Sequence, residues 1–365
     1  MERISKYQLA AIIILHEIGS ASLFYLGGEA KQDSWIAIFI AMIVGLVILA
    51  FITLTIHSKE PDKNLIELIT SYFGKYLGAI ISIVYILFFT YSSTRNVREF
   101  GDIILLTLLP DTPISMVMLV LVIISTYAVY KGIETFFRIG EFILPFFLFI
   151  YFVIFILFFS SGFLNFEYML PVLENGIFTV MKAGIPKVLS FPFSEMFMFL
   201  MYFKYFEDKK GIKKITISTY LFSGFFIIWM NIMILAALGP LSTMNIVPLL
   251  SSIRLIEIGG IIERMDPLFV LVLFISVFIK QTAYYLAAVL ALSQLIKKEY
   301  KKVILPIGAL IFAGAFLEKN FTLQIWFGIE YITVYVMPFV YILIPVLLLV
   351  VIYVKGFLNK KPKKG

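Results

Sequence analysis

The sequence predicts an all-α polytopic membrane protein of about ten spans, built as two inverted five-span repeats. Three observations predict it. First, 61% of the 365 residues are hydrophobic and only 15% are charged, whereas soluble domains run at about 45–50% apolar and 25% charged. Second, the apolar residues form continuous runs near the length of about 20 residues that a helix needs to cross the hydrocarbon core. Third, the first and sixth runs are interrupted near their middles, and each interruption carries a carboxylate. A mean hydropathy of +1.00 over the chain excludes an ordinary soluble enzyme, a disordered protein and a nucleic-acid binder.

The spans fall at about 7–29, 33–56, 79–108, 113–130, 135–160, 186–205, 215–239, 266–296, 303–317 and 327–354. The first follows MERISK and has no short apolar core ending in a small-residue cleavage site, so it reads as a retained span rather than a signal peptide. The ninth is the shortest. Helices are required because the runs do not alternate and lipid tolerates no unpaired backbone. The whole of 1–365 forms one transmembrane domain. Repeat one covers about 7–160, repeat two about 186–354, and 355–365 is a basic tail.

Lysine and arginine set the expected orientation. With the N-terminus inside, twenty-one of the 30 basic residues fall in inside segments and six in outside segments, which predicts both termini in the cytoplasm. The same bias accounts for the +7 net charge without any nucleic acid. The KKPKKG tail is expected to lie against anionic headgroups. Three connections are long enough for structure. Residues 57–78 read as an amphipathic stretch inside, 161–185 as an outside loop, and 240–265 as an outside helical lid bearing Arg254, Glu257, Glu263 and Arg264.

The interruptions carry the candidate binding residues. The first span reads AIIILHEIGSASLFYLGG, placing Glu17, Gly19, Ser20, Ala21 and Ser22 near mid-membrane. The sixth reads PKVLSFPFSEMFMFL, placing Ser190, Phe191, Pro192, Phe193, Ser194 and Glu195 there. Gly/Ser clusters and proline free backbone NH and C=O groups, which lipid tolerates only where they line a cavity or hold a ligand. Matching breaks at positions one and six of ten are what two five-span repeats produce, and an odd number of spans inverts the second copy. An ionised carboxylate at this depth needs a partner. Lys280, in VFIKQTAYYLAA, is the expected counter-charge to Glu17 or Glu195, with Ala283 beside it.

In the third span Tyr91, Arg95, Arg98 and Asp102 share a helical face, with Arg95–Glu99 and Arg98–Asp102 spaced as i,i+4 pairs. Arg95, Arg98 and Asp102 form a candidate vestibule or gate. Glu134, Arg138 and Glu141 read as salt bridges at a helix end. The chain has no cysteine and only His16 and His57, and no HExxH, GxxxxGK[ST] or GxSxG motif occurs. No metal, no cofactor and no catalytic residue is expected.

The segments TRNVREFGDIILLTLLPDTP, GIETFFRIGEFILP, LPVLENG, SFPFSEMFMFL and IIERMDPLF together resemble the spore germination permease family, the GerAB-like B subunits of nutrient germinant receptors, over nearly the whole chain. That family belongs to the amino acid–polyamine–organocation superfamily. The resemblance implies a LeuT-like fold, a small nutrient ligand that is often an amino acid, and partner A and C subunits in the spore inner membrane. The superfamily's first broken helix carries a Gly-Ser-Gly turn; here Gly19-Ser20 is followed by Ala21. LeuT-like folds can hold sodium between the first and eighth spans, and Lys280 is positioned to replace it. The expected function is nutrient sensing by a ligand-driven conformational shift, with a proton-coupled amino-acid or amine transporter as the alternative.

Overall fold

In a computed structural model the chain is described over residues 3–256, 265–318 and 321–358. Fourteen α-helices are joined by short 3-10 and π turns, with no β-strand among the described residues. In order they are α1 Lys6–Ile18, α2 Ser34–Ile48, α3 Leu54–Lys59, α4 Leu65–Phe73, α5 Lys75–Thr107, α6 Ile114–Lys131 and α7 Ile133–Ser160. There follow α8 Gly176–Ala183, α9 Ile212–Leu238, α10 Pro248–Ile253, α11 Asp266–Leu295, α12 Tyr300–Gly314, α13 Phe321–Trp326 and α14 Ile344–Leu358.

Seven continuous segments among the described residues are long and apolar enough to cross a membrane. They are Gly28–Lys59, α5, α6, α7, Ile212–Thr243, α11 and Thr322–Leu358. The chain is therefore an integral membrane protein. The remaining predicted spans take shorter forms. The first is α1 followed by a 3-10 turn, Ser20–Leu23; the ninth is the 15-residue α12. The sixth departs furthest from a regular helix. It runs as a π turn, Gly184–Val188, a break at Phe191 and Pro192, and 3-10 turns at Phe193–Met201 and Phe203–Tyr205.

Local chemistry explains the starts and stops. Ser5 accepts from the Gln8 amide while Gln8 reaches back to the Ser5 amide, capping α1; Asn64 and Glu67 do the same for α4. Gly132, at φ +97°, turns the chain between α6 and α7 in a conformation that a side chain rarely adopts. The amphipathic reading of 57–78 corresponds to α4, which buries Leu65, Ile66, Leu68 and Ile69. The loop predicted at 161–185 contains α8, and the start of the predicted lid folds as α10. Glu257, Glu263, Arg264 and the KKPKKG tail lie outside the described residues.

Packing is concentric. The most apolar 18-residue window of α11 is 78% buried inside the protein, against 22% for that of α7. α11 lies against α5 along much of its length, and α1 is enclosed by α7, α9 and α11. Between lipid-embedded helices hydrophobicity gives little drive, so close approach and hydrogen bonds hold the bundle. Ser93 Oγ donates to the Gln281 carbonyl (3.1 Å) and Thr282 Oγ1 to Ser125 Oγ (3.0 Å), joining α11 to α5 and α6. Each such bond is worth about 0.6 kcal/mol. Gly45 lets α9 approach α2: a Cβ there would meet the Tyr220 hydroxyl at 2.4 Å.

The segments before α1, after α3 and after Tyr205 meet on one face. Ile4 N–H bonds to the Tyr205 carbonyl (2.9 Å), Lys204 Nζ to Glu67 Oε1 (2.7 Å) and Lys209 Nζ to the Pro61 carbonyl (2.7 Å). This is the lysine-rich, basic face of the molecule.

Candidate ligand site at the two helix breaks

The two interruptions meet. His16, at the end of α1, stacks edge-on against Phe199 of the sixth segment at 5.4 Å between ring centroids. Glu17 and Glu195 come together across the same junction, with ligand atoms of His16, Glu17 and Glu195 all within 4.8 Å of one another. Gly19 ends α1, its N–H bonded to the Leu15 carbonyl (3.1 Å). A Cβ on Gly19 would lie 2.6 Å from that carbonyl oxygen and 3.3 Å from the Ser276 side chain of α11. Glycine is thus demanded first by the Leu15 carbonyl of its own helix and then by the approach of α11, not by a left-handed backbone.

Above the junction opens a cavity of about 570 Å³. Its depths carry Ser20, Phe191, Glu195, Lys280 and Tyr284. Tyr91, Arg95, Asn96 and Glu99 of α5 form one wall, and Glu330, Thr333 and Met337 of the last span another. The mouth carries Glu29, Lys187 and Asn245, among the more exposed lining residues. The lining therefore draws on the segments predicted as the first, third, sixth, eighth and last spans, and also on Ser242, Thr243, Met244 and Asn245 after α9.

The deep end is polar and buried. Lys280 Nζ lies 2.6 Å from Glu195 Oε2, donates to Ser20 Oγ (3.2 Å) and sits 4.2 Å from the centre of the Phe191 ring. Tyr284 OH donates to Glu195 Oε1 (2.8 Å) and lies 3.0 Å from Tyr341 OH. A charge pair out of water survives only with such added donors. Elsewhere in the wall, partners are missing: Arg95 Nε, Glu99 Oε1 and Tyr91 OH are buried with no hydrogen bond. At the mouth Lys187 Nζ bridges Glu29 Oε1 (2.5 Å) and Glu330 Oε1 (2.6 Å).

Of the residues nominated from sequence, Ser20, Tyr91, Arg95, Phe191, Glu195 and Lys280 line the cavity. Glu17, Gly19, Ala21 and Ser22 are buried outside the lining, as are Ser190, Pro192, Phe193, Ser194 and Ala283. Several of these hold the breaks in place. Ser22 Oγ donates to the Gly19 carbonyl (2.9 Å) and accepts from Tyr151, and Ser194 Oγ donates to the Leu189 carbonyl (2.8 Å). The Ala283 carbonyl accepts from Tyr202 OH (2.5 Å).

The vestibule cluster divides. Arg98 and Asp102 pair at 2.7 Å, and Arg98 Nη1 also donates to the Ala315 and Glu318 carbonyls (3.3 and 2.8 Å), fastening α5 to the end of α12. Arg95 and Glu99 are not ion-paired; both turn to the cavity instead, and the Arg95 guanidinium packs over Gly328. Sequence reading missed Glu99 as a lining group, and with it Tyr284, Lys187, Glu29 and Glu330. Tyr284 had a signal, since it follows Lys280 by four residues on one helix face. The mouth residues had none, because distant segments supply them.

Comparison with known proteins fits this architecture. Two solved transporters share the fold. MhsT in complex with L-phenylalanine matches with a TM-score of 0.59 at 18% identity, over 92% of this chain and 87% of that one. Mhp1, a nucleobase-cation-symport-1 family transporter with bromovinylhydantoin bound in a closed conformation, matches with a TM-score of 0.57 at 15% identity, over 89% and 74%. The fold is thus that of LeuT-type transporters. Among sequences, spore germination protein KB of Bacillus subtilis (strain 168) is 31% identical over 367 residues, covering 99% of this chain and 97% of that protein. Spore germination protein YndE of the same organism is 27% identical over 322 residues, covering 85% and 86%. With the spore germination protein model matching residues 3–322 as well, the chain belongs to the spore germination permease family.

Proposed function

We propose that the chain is the nutrient-sensing membrane subunit of a spore germinant receptor, and that a small zwitterion, an amino acid, binds in the cavity at the two breaks. One observation carries this reading: the lining holds buried charged groups of both signs, with Arg95 Nε and Glu99 Oε1 lacking partners. A buried polar atom without a partner costs about 1–3 kcal/mol, and a ligand bearing both an ammonium and a carboxylate would recover much of that. The carboxylate is assigned to Arg95, Ser20 and the amides of the turn that starts there; the ammonium to Glu99 and the carbonyls freed around Phe191 and Pro192. Gly19, Ala21, Ser22, Ser190, Phe193, Ser194 and Ala283 act behind the wall by fixing the backbone at the breaks. Lys280 stands in for a bound sodium ion.

Sensing requires only that the ligand prefer one of two conformations. The family supports A and C subunits as partners and the spore inner membrane as location. The lysine bias supports both termini on the cytoplasmic side. The test is a thermal-shift screen of the purified protein against amino acids, sugars and nucleosides. A binder at 100 times its Kd raises stability by about 2.7 kcal/mol. A stabilising amino acid whose effect is indifferent to sodium and lost in Lys280→Ala supports the assignment; a sugar or nucleoside acting alone, or sodium dependence, overturns it.

A second reading, proton-coupled amino-acid or amine transport, draws on the transporter fold and on Glu17, a carboxylate buried beside the cavity. Uptake of radiolabelled substrate into liposomes under an imposed pH gradient separates the two.

A further inference from the structure

We infer that His16 and Glu17 form a proton-binding dyad beneath the ligand cavity, a site separate from the Lys280–Glu195 pair. Both side chains are fully buried, and Glu17 Oε1, Glu17 Oε2, His16 Nδ1 and His16 Nε2 all lack hydrogen-bond partners. Their nearest mutual approach, His16 Nδ1 to Glu17 Oε1, is 3.5 Å. Two adjacent, fully buried residues with four unpartnered polar atoms are not explained by packing, since buried polar groups are normally satisfied.

Charge balance names the occupant. The titratable groups around the dyad come from every neighbouring element. α1 gives His16 and Glu17, the sixth segment Glu195, and α11 Lys280 and Tyr284. The last span gives Tyr341, Tyr220 of α9 is within electrostatic reach, and Glu99 of α5 reaches Glu195 and Lys280 but not the dyad itself. Lys280 is committed to Glu195 at 2.6 Å, and Tyr284 takes the other Glu195 oxygen. Glu17 is left with no cation and no donor. An isolated carboxylate there is prohibitively costly, so one further positive charge is required. A metal ion would have to share Glu195 with an ammonium already seated on it. A proton needs no such room: held on a Glu17 oxygen, it donates to His16 Nδ1 after closure of a gap of about half an ångström. The dyad lies where α1 and the sixth segment touch, so separation of those segments would expose it and let the proton leave. Ligand occupancy and protonation are thereby coupled.

Infrared spectroscopy of the full chain in membranes tests this. The expected result is the carbonyl stretch of a protonated carboxylic acid, downshifted in D2O and lost in Glu17→Gln. In His16→Asn the band should persist but move, because its acceptor has changed; that variant also serves if Glu17→Gln fails to fold. Absence of the band from the wild type, or its survival in Glu17→Gln, overturns the proposal. A band unmoved by His16→Asn removes His16 from the site. Retention of one equivalent of sodium, potassium or zinc by the dialysed wild type, and not by Glu17→Gln, would make it a metal site instead.

Discussion

Lys280 Nζ on α11 lies 2.6 Å from Glu195 Oε2 in the sixth segment, and both side chains are almost wholly buried. This contact joins the longest-packed helix of the bundle to its least regular segment. Removing one partner strands the other charge, which typically costs about 3–5 kcal/mol. Lys280→Met and Glu195→Gln should therefore each lower the unfolding midpoint sharply, while the double variant recovers much of the loss. Thermal unfolding of the four proteins in one detergent measures the coupling. Additive losses would show that the two groups do not interact.

Gly19 is the tightest backbone contact at the site. A Cβ there would stand 2.6 Å from Leu15 O, which no real side chain tolerates without a shift of α1 or α11. Gly19→Ala should cost about 1–3 kcal/mol as an overpacking change. Gly19→Trp should abolish the nutrient response in spores while the protein still reaches the membrane. A normal response in Gly19→Trp would remove this break from the site.

How much of this was legible in the sequence depends on range. The positions of the seven long apolar segments follow from hydropathy alone, because lipid imposes length and apolarity on each helix, whereas the first, sixth and ninth predicted spans take shorter or irregular forms. Gly19, Ser20 and Pro192 announce the breaks through local backbone chemistry. Lys280 announces itself through the cost of a charge at that depth. The choice of Glu195 over Glu17 as its partner was not legible, since it depends on the angle between two segments some 85 residues apart in the chain. Nor was the long 3-10 stretch Phe193–Met201: nothing in SEMFMFL marks it locally, and its surroundings, α1, α2, α4, α11 and the last span, come from distant parts of the chain. Arg95 and Glu99 illustrate the opposite error. Their i,i+4 spacing suggested a pair, but a cavity beside α5 drew both away.

On the basic face, Tyr72 OH of α4 donates to Glu60 Oε1. This bond, with smaller help from Lys63, holds the Glu60 carboxyl below the usual carboxylate range, while burial and the neighbouring Glu60 push the Tyr72 phenol up to about 12, so it stays a donor at neutral pH. A carboxyl with a depressed folded pKa contributes stability above its unfolded pKa and loses it as pH falls through the folded value. Docking of α4 should therefore weaken only in acid. Tyr72→Phe should remove that acid sensitivity at a cost of about 0.5–1 kcal/mol at neutral pH. Proteolytic nicking of the 57–64 connection as a function of pH measures it; an unchanged acid profile in Tyr72→Phe would assign the effect elsewhere.

At the cavity mouth, Lys187 spans Glu29, which precedes α2, and Glu330 in the last span, at 2.5 and 2.6 Å. The three residues come from three separate segments and all line the cavity, so the bridge ties those segments together at the mouth. Each such partly exposed pair is worth about 0.2–1 kcal/mol. Losing both in Lys187→Met should shift the opening equilibrium by about twofold to thirtyfold, since 1.4 kcal/mol is tenfold. The chain has no cysteine, which makes accessibility simple to read. A cysteine placed at Ser92 in the cavity wall should react faster with a membrane-impermeant thiol reagent in the Lys187→Met background. Lys187→Arg, which keeps the charge, should restore the slow rate. Equal rates in all three backgrounds would mean that the mouth is held by other contacts and that the bridge has no gating role.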